Sequence, residues 1–247
     1  MAAQLKAILY KGDDVPQRMA RTMWLPMLLM GAMAVAVGFT ASIAAGVKIG
    51  DFFGGEAAES LRTGQSVAAW AIATVFLGMA FILSSITMVL VNIIRTLRDT
   101  GRDVQQAVGA AQVTQLRKPW TGVFIPHVMM MGLMLVVAAF VIGLIQAAVI
   151  SDIPADALAE PARLQGQSLA DFGTVQAMAQ WLGPLRLLGL ALIFVSIVLA
   201  LRTIIRAITF QAQRVYELAD ERRAAGWSAQ RPATSGWQPQ SRPYAAR

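Results

Sequence analysis

The chain has no cysteine and only one histidine, His127. The missing thiols exclude disulfides, thiolate nucleophiles and Cys-ligated metals, and they are compatible with either face of a bacterial membrane. Charge is also scarce. Charged residues make up 14% of the sequence and hydrophobic ones 56%, whereas a soluble domain carries about 25% charge. No phosphate-cradling glycine loop, metal-binding helix signature or nucleophile elbow occurs. No catalytic constellation can be assembled, so we expect a chain that is not itself an enzyme and holds no cofactor. An accessory subunit of a membrane enzyme complex would have the same features.

Long uncharged runs fill the space that charge leaves empty. None occurs between Arg21 and Lys48, between Arg62 and Arg95, or between Lys118 and Asp152. Each run exceeds the roughly 20 residues that cross about 30 Å of hydrocarbon as a helix. The runs are continuous rather than alternating, and lipid requires every backbone group to be satisfied internally, so helices are expected. A fourth run, between Arg186 and Arg202, has only 15 uncharged residues. It becomes long enough if the flanking arginines reach to the interfaces. Four transmembrane helices are predicted near 22–47, 67–95, 121–150 and 182–205.

The charges orient these helices. Of the 21 Lys and Arg, 17 lie in the N-terminal segment, the 95–120 loop and the stretch from Arg202 onward. The other four are Lys48, Arg62, Arg163 and Arg186, and the acidic residues split seven and seven. The positive-inside rule then predicts cytoplasmic termini, with 48–66 and 151–181 outside. The net charge of +7 follows from topology and from contact with anionic headgroups. No nucleic-acid partner is expected. The setting that fits is a bacterial inner membrane.

An internal repeat organises the spans. Residues 188–209 repeat 77–98 at an offset of 111 with no gap, and ten of the 22 positions are identical. The matches include Gly78/Gly189, Ser85/Ser196 and the closing Ile-Ile-Arg that ends at Arg95 and Arg206, with Trp70/Trp181 just upstream at the same offset. The earlier half is fainter: Pro126 follows Pro26, and Phe124 follows Trp24, at an offset of 100. Each unit has two spans, so the copies share one orientation, related by an axis along the membrane normal. The predicted fold is an all-α integral-membrane four-helix bundle of two tandem parallel-repeat hairpins. Helices two and four extend into the cytoplasm.

This reading divides the chain into a cytoplasmic interfacial segment 1–20, a first repeat 21–110, a second repeat 111–225 and a disordered tail 226–247. Leu5, Ile8 and Leu9 beside Lys6 and Lys11 predict a short interfacial helix. Arg18, Arg21 and Ser42-Ile43-Ala44 resemble a secretory signal. The apolar run is longer than such signals use, so an uncleaved first span is expected. The outer segment 151–181 is acidic and broken by Pro154 and Pro161, with a short helix expected around 155–164. The tail from Trp227 is rich in Pro, Ser, Gln and Arg, a composition that does not fold alone.

Candidate sites are few. His127 could ligate haem, or copper together with Met; a helix-end residue bonded to a carbonyl or headgroup is the simpler reading. Met23, Met27, Met30 and Met33, and Met130 and Met134, recur at helical spacing and are expected to fill helix interfaces. Ser84, Ser85, Thr87, Asn92, Gln146 and Ser196 are the polar residues within spans. No Asp or Glu lies there, which argues against a proton- or sodium-coupled transporter. Gly78, Ser85, Gly189 and Ser196 are expected to pack helices closely. Arg186, Arg95 and Arg206 are expected to contact lipid or a partner. For Arg186 the choices are an anionic headgroup, a quinone edge, an acidic residue of another subunit, or plain snorkelling.

The function expected is a non-catalytic integral-membrane subunit that packs in a larger assembly and docks partners through its cytoplasmic helices. Its partners would be the bilayer with its anionic headgroups, other membrane subunits or copies of itself, and a cytoplasmic protein. A second reading is a small transporter or channel between hairpins or protomers. A third is an electron-transfer subunit using His127.

Overall fold

A computed structural model describes residues 7–9, 15–107, 113–116, 120–160, 162 and 164–229. In order, it contains β1 (Ala7–Leu9), α1 (Val15–Phe53), α2 (Ala58–Ala107), β2 (Thr114–Leu116), α3 (Trp120–Asp152), α4 (Ala155–Ala159) and α5 (Gly166–Ala229). Four of the helices are long and apolar enough to cross a membrane, which marks the chain as an integral membrane protein. Two greatly exceed a bilayer. The 50 residues of α2 and the 64 of α5 correspond to about 75 and 96 Å at 1.5 Å per residue.

The spans do not close into a four-helix bundle. α1 packs mainly on α2, α3 mainly on α5, and α2 joins the pairs by touching both α3 and α5. The contact pattern explains why. α1 buries a narrow seam of Gly31, Gly38 and Ala45, seven residues apart, and the described residues leave most of its other surface uncovered. α3 and α5 bury broader seams that step alternately by four and three. In α5 the series is Leu182, Arg186, Gly189, Ile193, Ser196, Ala200, Thr203, Ala207 and Phe210. Such 4–3 stepping keeps one face of a helix against its neighbour along its whole length.

Both ends carry structure beyond the spans. At the acidic end, Leu61, Ile150, Ile153, Leu158, Leu164 and Val175 form a small apolar core beneath α4. The expected short helix is present as α4, but the stretch from Gly166 to Trp181 is helix and not loop. α5 starts at Gly166 and runs unbroken through Pro184 into the span. At the basic end the first segment forms a strand instead of an interfacial helix. Ala7, Ile8 and Leu9 pair antiparallel with Leu116, Gln115 and Thr114. A strand of three residues gains its hydrogen bonds only from a partner strand, so the helical pattern of the isolated segment is overridden. The Gln105 side chain fastens β2 to α2: Nε2 donates to the Thr114 carbonyl at 2.7 Å, and Oε1 accepts from the Thr114 amide at 2.9 Å. Residues 226–229 continue α5; the remainder of the tail lies outside the described residues.

Candidate functional site

Gly78 and Gly189 each sit at a helix crossing. A methyl group on Gly78 would lie 2.7 Å from the Gly31 carbonyl oxygen and 2.7 Å from the Val35 amide nitrogen. One on Gly189 would lie 3.0 Å from the Gly132 carbonyl oxygen and 2.6 Å from Val136 Cγ2. Conversely, Gly31 abuts Ile82, and Gly132 abuts Ile193. Only glycine allows backbones this close. The two quartets, Gly31-Val35-Gly78-Ile82 and Gly132-Val136-Gly189-Ile193, are the same residue types in the same roles. The second-helix members are 111 residues apart, and the first-helix members are 101 apart.

That last offset corrects the one suggested by the prolines. At 101 the first half is not faint, because Met30, Gly31, Met33, Val35 and Phe39 match Met131, Gly132, Met134, Val136 and Phe140. The prolines lie nearer the helix starts and fall one residue out of register. Packing contacts, not helix starts, carry the correspondence.

The span hydroxyls are directed at their own helices. Ser85 Oγ donates to the Ile82 carbonyl at 2.6 Å, and Ser196 Oγ donates to the Ile193 carbonyl at 2.5 Å. Thr87 Oγ1 and Ser196 Oγ lie 3.2 Å apart and join α2 to α5. All three residues are buried, as is Ser84, whose Oγ has no hydrogen-bond partner. On Gln146, Nε2 donates to the Val175 carbonyl at 3.3 Å, which ties α3 to the outer part of α5.

The methionines do not fill interfaces as expected. Met33 is 66% exposed and Met134, 101 residues later, 64%. Met23, Met30, Met130 and Met131 face outward as well, while Met129 is buried. The crossings themselves are built from Gly, Val and Ile, which bring backbones closer than a long thioether permits. His127 also faces outward. Among the described residues, no cluster of three or more His, Cys, Asp or Glu could hold a metal.

Arg186 is buried, with 8% of its surface exposed, so its side chain is covered by the neighbouring helices. It occupies a seam position of α5, with its guanidinium carbon 5.8 Å from the centre of the Phe76 ring on α2. Arg95 lies 3.8 Å from Asp99 one turn away, and Arg206 is partly buried.

At the basic end α2 and α5 run side by side past these arginines and enclose a groove of about 350 Å³. It is lined by Thr100, Gly101, Val104 and Gln105 from α2 and by Ile208, Gln211, Ala212, Val215 and Tyr216 from α5. Four of these pair at the 111 offset: Thr100 with Gln211, Gly101 with Ala212, Val104 with Val215, and Gln105 with Tyr216. Gln211 crosses the floor, where its Nε2 donates to the Leu97 carbonyl, and its side chain fills the space that any side chain at Gly101 would need. The walls stay apolar and open. Val104, Ile208, Val215 and Tyr216 are exposed, Tyr216 by 73%. Charged residues rim it, with Arg214 Nη1 held 2.8 Å from Glu217 and 3.9 Å from Glu221.

No family model, curated protein or solved structure matches this chain. The groove was missed because its residues are separated by a hundred positions. A signal was present, however, in Val104 and Val215, which extend the 111 offset beyond the last apolar residues of the spans.

Proposed function

We propose that this chain is a non-catalytic membrane subunit that packs within a larger membrane complex and docks a partner in the groove between α2 and α5. One observation carries the reading. Val104 and Val215 each lie nine residues past the boundary arginines Arg95 and Arg206, about 13 Å further along the helix. At that distance hydrocarbon no longer covers them, yet the groove wall stays apolar and exposed. Apolar surface in water is a docking surface when a partner helix can lay its own apolar face into it. The rim of mixed charge would set the partner's register.

In this reading the groove faces the cytoplasm of a bacterial inner membrane, with both termini on that side. The charge asymmetry supports this orientation, and the pairing of β1 with β2 is compatible with it because it keeps the start of the chain and the α2–α3 connection together. The two hairpins are copies of one unit related by an axis along the membrane normal. The matched glycine quartets support this, as do the four pairs of groove residues at one offset. Ser85, Thr87 and Ser196 bond to their own helices or across one buried contact, which favours packing over a transport pathway.

The test is extraction in mild detergent followed by native mass measurement. A stoichiometric partner is expected, and it should be lost in Val215→Asp and Ile208→Asp while helical content and unfolding stay within about 0.5 kcal/mol of the parent. A chain found alone, or only with copies of itself, would sink the proposal.

A further inference from the structure

Arg186 is a cation in a helix seam, and the described residues give it no counter-charge. Among the described residues no carboxylate lies within 4.0 Å of it, and its Nε is buried without a hydrogen-bond partner. Phe76 covers one face of the guanidinium. The edge that carries Nε and Nη2 is the fork that grips an oxyanion through two parallel hydrogen bonds. Nη2 lies against Gly143 of α3, where a methyl group would come within 3.1 Å of it and within 2.8 Å of Ala73 Cβ. Glycine at 143 therefore gives the guanidinium room to lie beside α3, where a larger residue would crowd it.

Depth identifies the anion. Arg186 precedes Arg206 by 20 residues, about 30 Å along α5, which is the thickness of the hydrocarbon layer. If Arg206 marks one edge of the bilayer, Arg186 stands at the other, where phospholipid phosphates are concentrated. Trp181 lies five residues further out and is exposed, a placement typical of aromatic anchors at headgroup level. The packing does not require an arginine here, since Val75 holds the corresponding position of the first hairpin and packs against Gly38.

We propose that Arg186, a buried guanidinium that the described residues leave without a counter-charge, is a binding site for a phosphate group, supplied by a phospholipid headgroup of the outer leaflet. The site is at the opposite end of the spans from the α2–α5 groove, and it stands or falls independently of docking there. A lipid held between α2, α3 and α5 would also act as a wedge that sets the spacing of the hairpins.

Native mass spectrometry of the detergent-solubilised full chain, titrated with phosphatidylglycerol, tests the proposal. The parent should bind one lipid that Arg186→Val binds at least about tenfold more weakly, as expected for lost charge-assisted hydrogen bonds. Arg186→Lys, which keeps the charge but not the fork, should fall between. Diacylglycerol, which lacks phosphate, should not compete. Inorganic phosphate is the arm that separates the sources: displacement of the lipid by it would overturn the headgroup as the source and leave a soluble phosphate as ligand. Equal lipid binding by the parent and Arg186→Val would overturn the site itself. If Arg186→Val does not fold, Arg186→Gln supplies the uncharged comparison. A stoichiometric protein whose carboxylate crosslinks at position 186 in place of lipid would likewise overturn the proposal.

Discussion

The two hairpins share a crossing and differ in what surrounds it. In α1–α2 and α3–α5 alike, glycine meets glycine, with a valine and an isoleucine flanking the contact at matched positions. Yet α1 touches little besides α2, whereas α3 and α5 both pack also on α2. The first hairpin buries hydroxyls but no charge, with Val75 against Gly38. The second carries Arg186 and Gln146 in its seams and a hydroxyl contact from Ser196 to α2. The contrast separates two roles for span residues. The glycine crossing is common to both hairpins, whereas Arg186 and Gln146 are buried only in the second.

Moving the difference from one hairpin to the other should have the largest effect. Val75→Arg places a charge in the α1–α2 seam, where Val75 already packs tightly against Gly38. We expect a loss of about 3–5 kcal/mol, typical of an uncompensated buried charge, read by unfolding in a graded mixture of mild and denaturing detergents. Tolerance of this arginine would show that the two seams are not as different as their contacts indicate.

The shared crossing is probed by Gly78→Leu and Gly189→Leu. Each drives a side chain into backbone atoms of the facing helix, and overpacking of this kind costs about 1–3 kcal/mol. The two losses should agree to within about 0.5 kcal/mol. A clear inequality in the same unfolding assay would break the equivalence of the crossings.

The smallest effect sharpens the comparison. Ser196 bonds both its own helix and Thr87, whereas the hydroxyl of Ser85 is directed at the Ile82 carbonyl. Ser196→Ala should therefore cost about 0.6 kcal/mol, the mean for an interhelical hydrogen bond in a membrane protein, and Ser85→Ala less. The reverse order would reassign the hydroxyl that joins the helices.

The number and rough position of the spans were legible because charge is excluded over lengths set by hydrocarbon thickness alone. The likeness between α2 and α5 was legible where Gly78, Ser85 and Ile-Ile-Arg recur without a gap. Between α1 and α3 the prolines suggested a register one residue off, because a proline near a helix start tolerates a shift that a glycine at a crossing does not. The helical stretch from Gly166 to Trp181 reads as loop from its Gln, Ser, Asp and Gly residues, although no proline interrupts it before Pro184. The burial of Arg186 depends on Gly143 and Phe76, which belong to other helices. No local pattern around position 186 could have disclosed it. The outward methionines were misjudged for a similar reason: helical spacing shows that residues share a face, not which neighbour that face meets.

The ribbon of β1 and β2 has a consequence for the order of assembly. Leu9 cannot find its partner Thr114 until the ribosome has delivered both spans of the first hairpin and the whole extension of α2. Its pairing closes a loop of about a hundred residues, whose entropic cost grows only with the logarithm of length. The start of the chain thus acts as a latch, thrown after the first hairpin is in place and as the second begins to emerge.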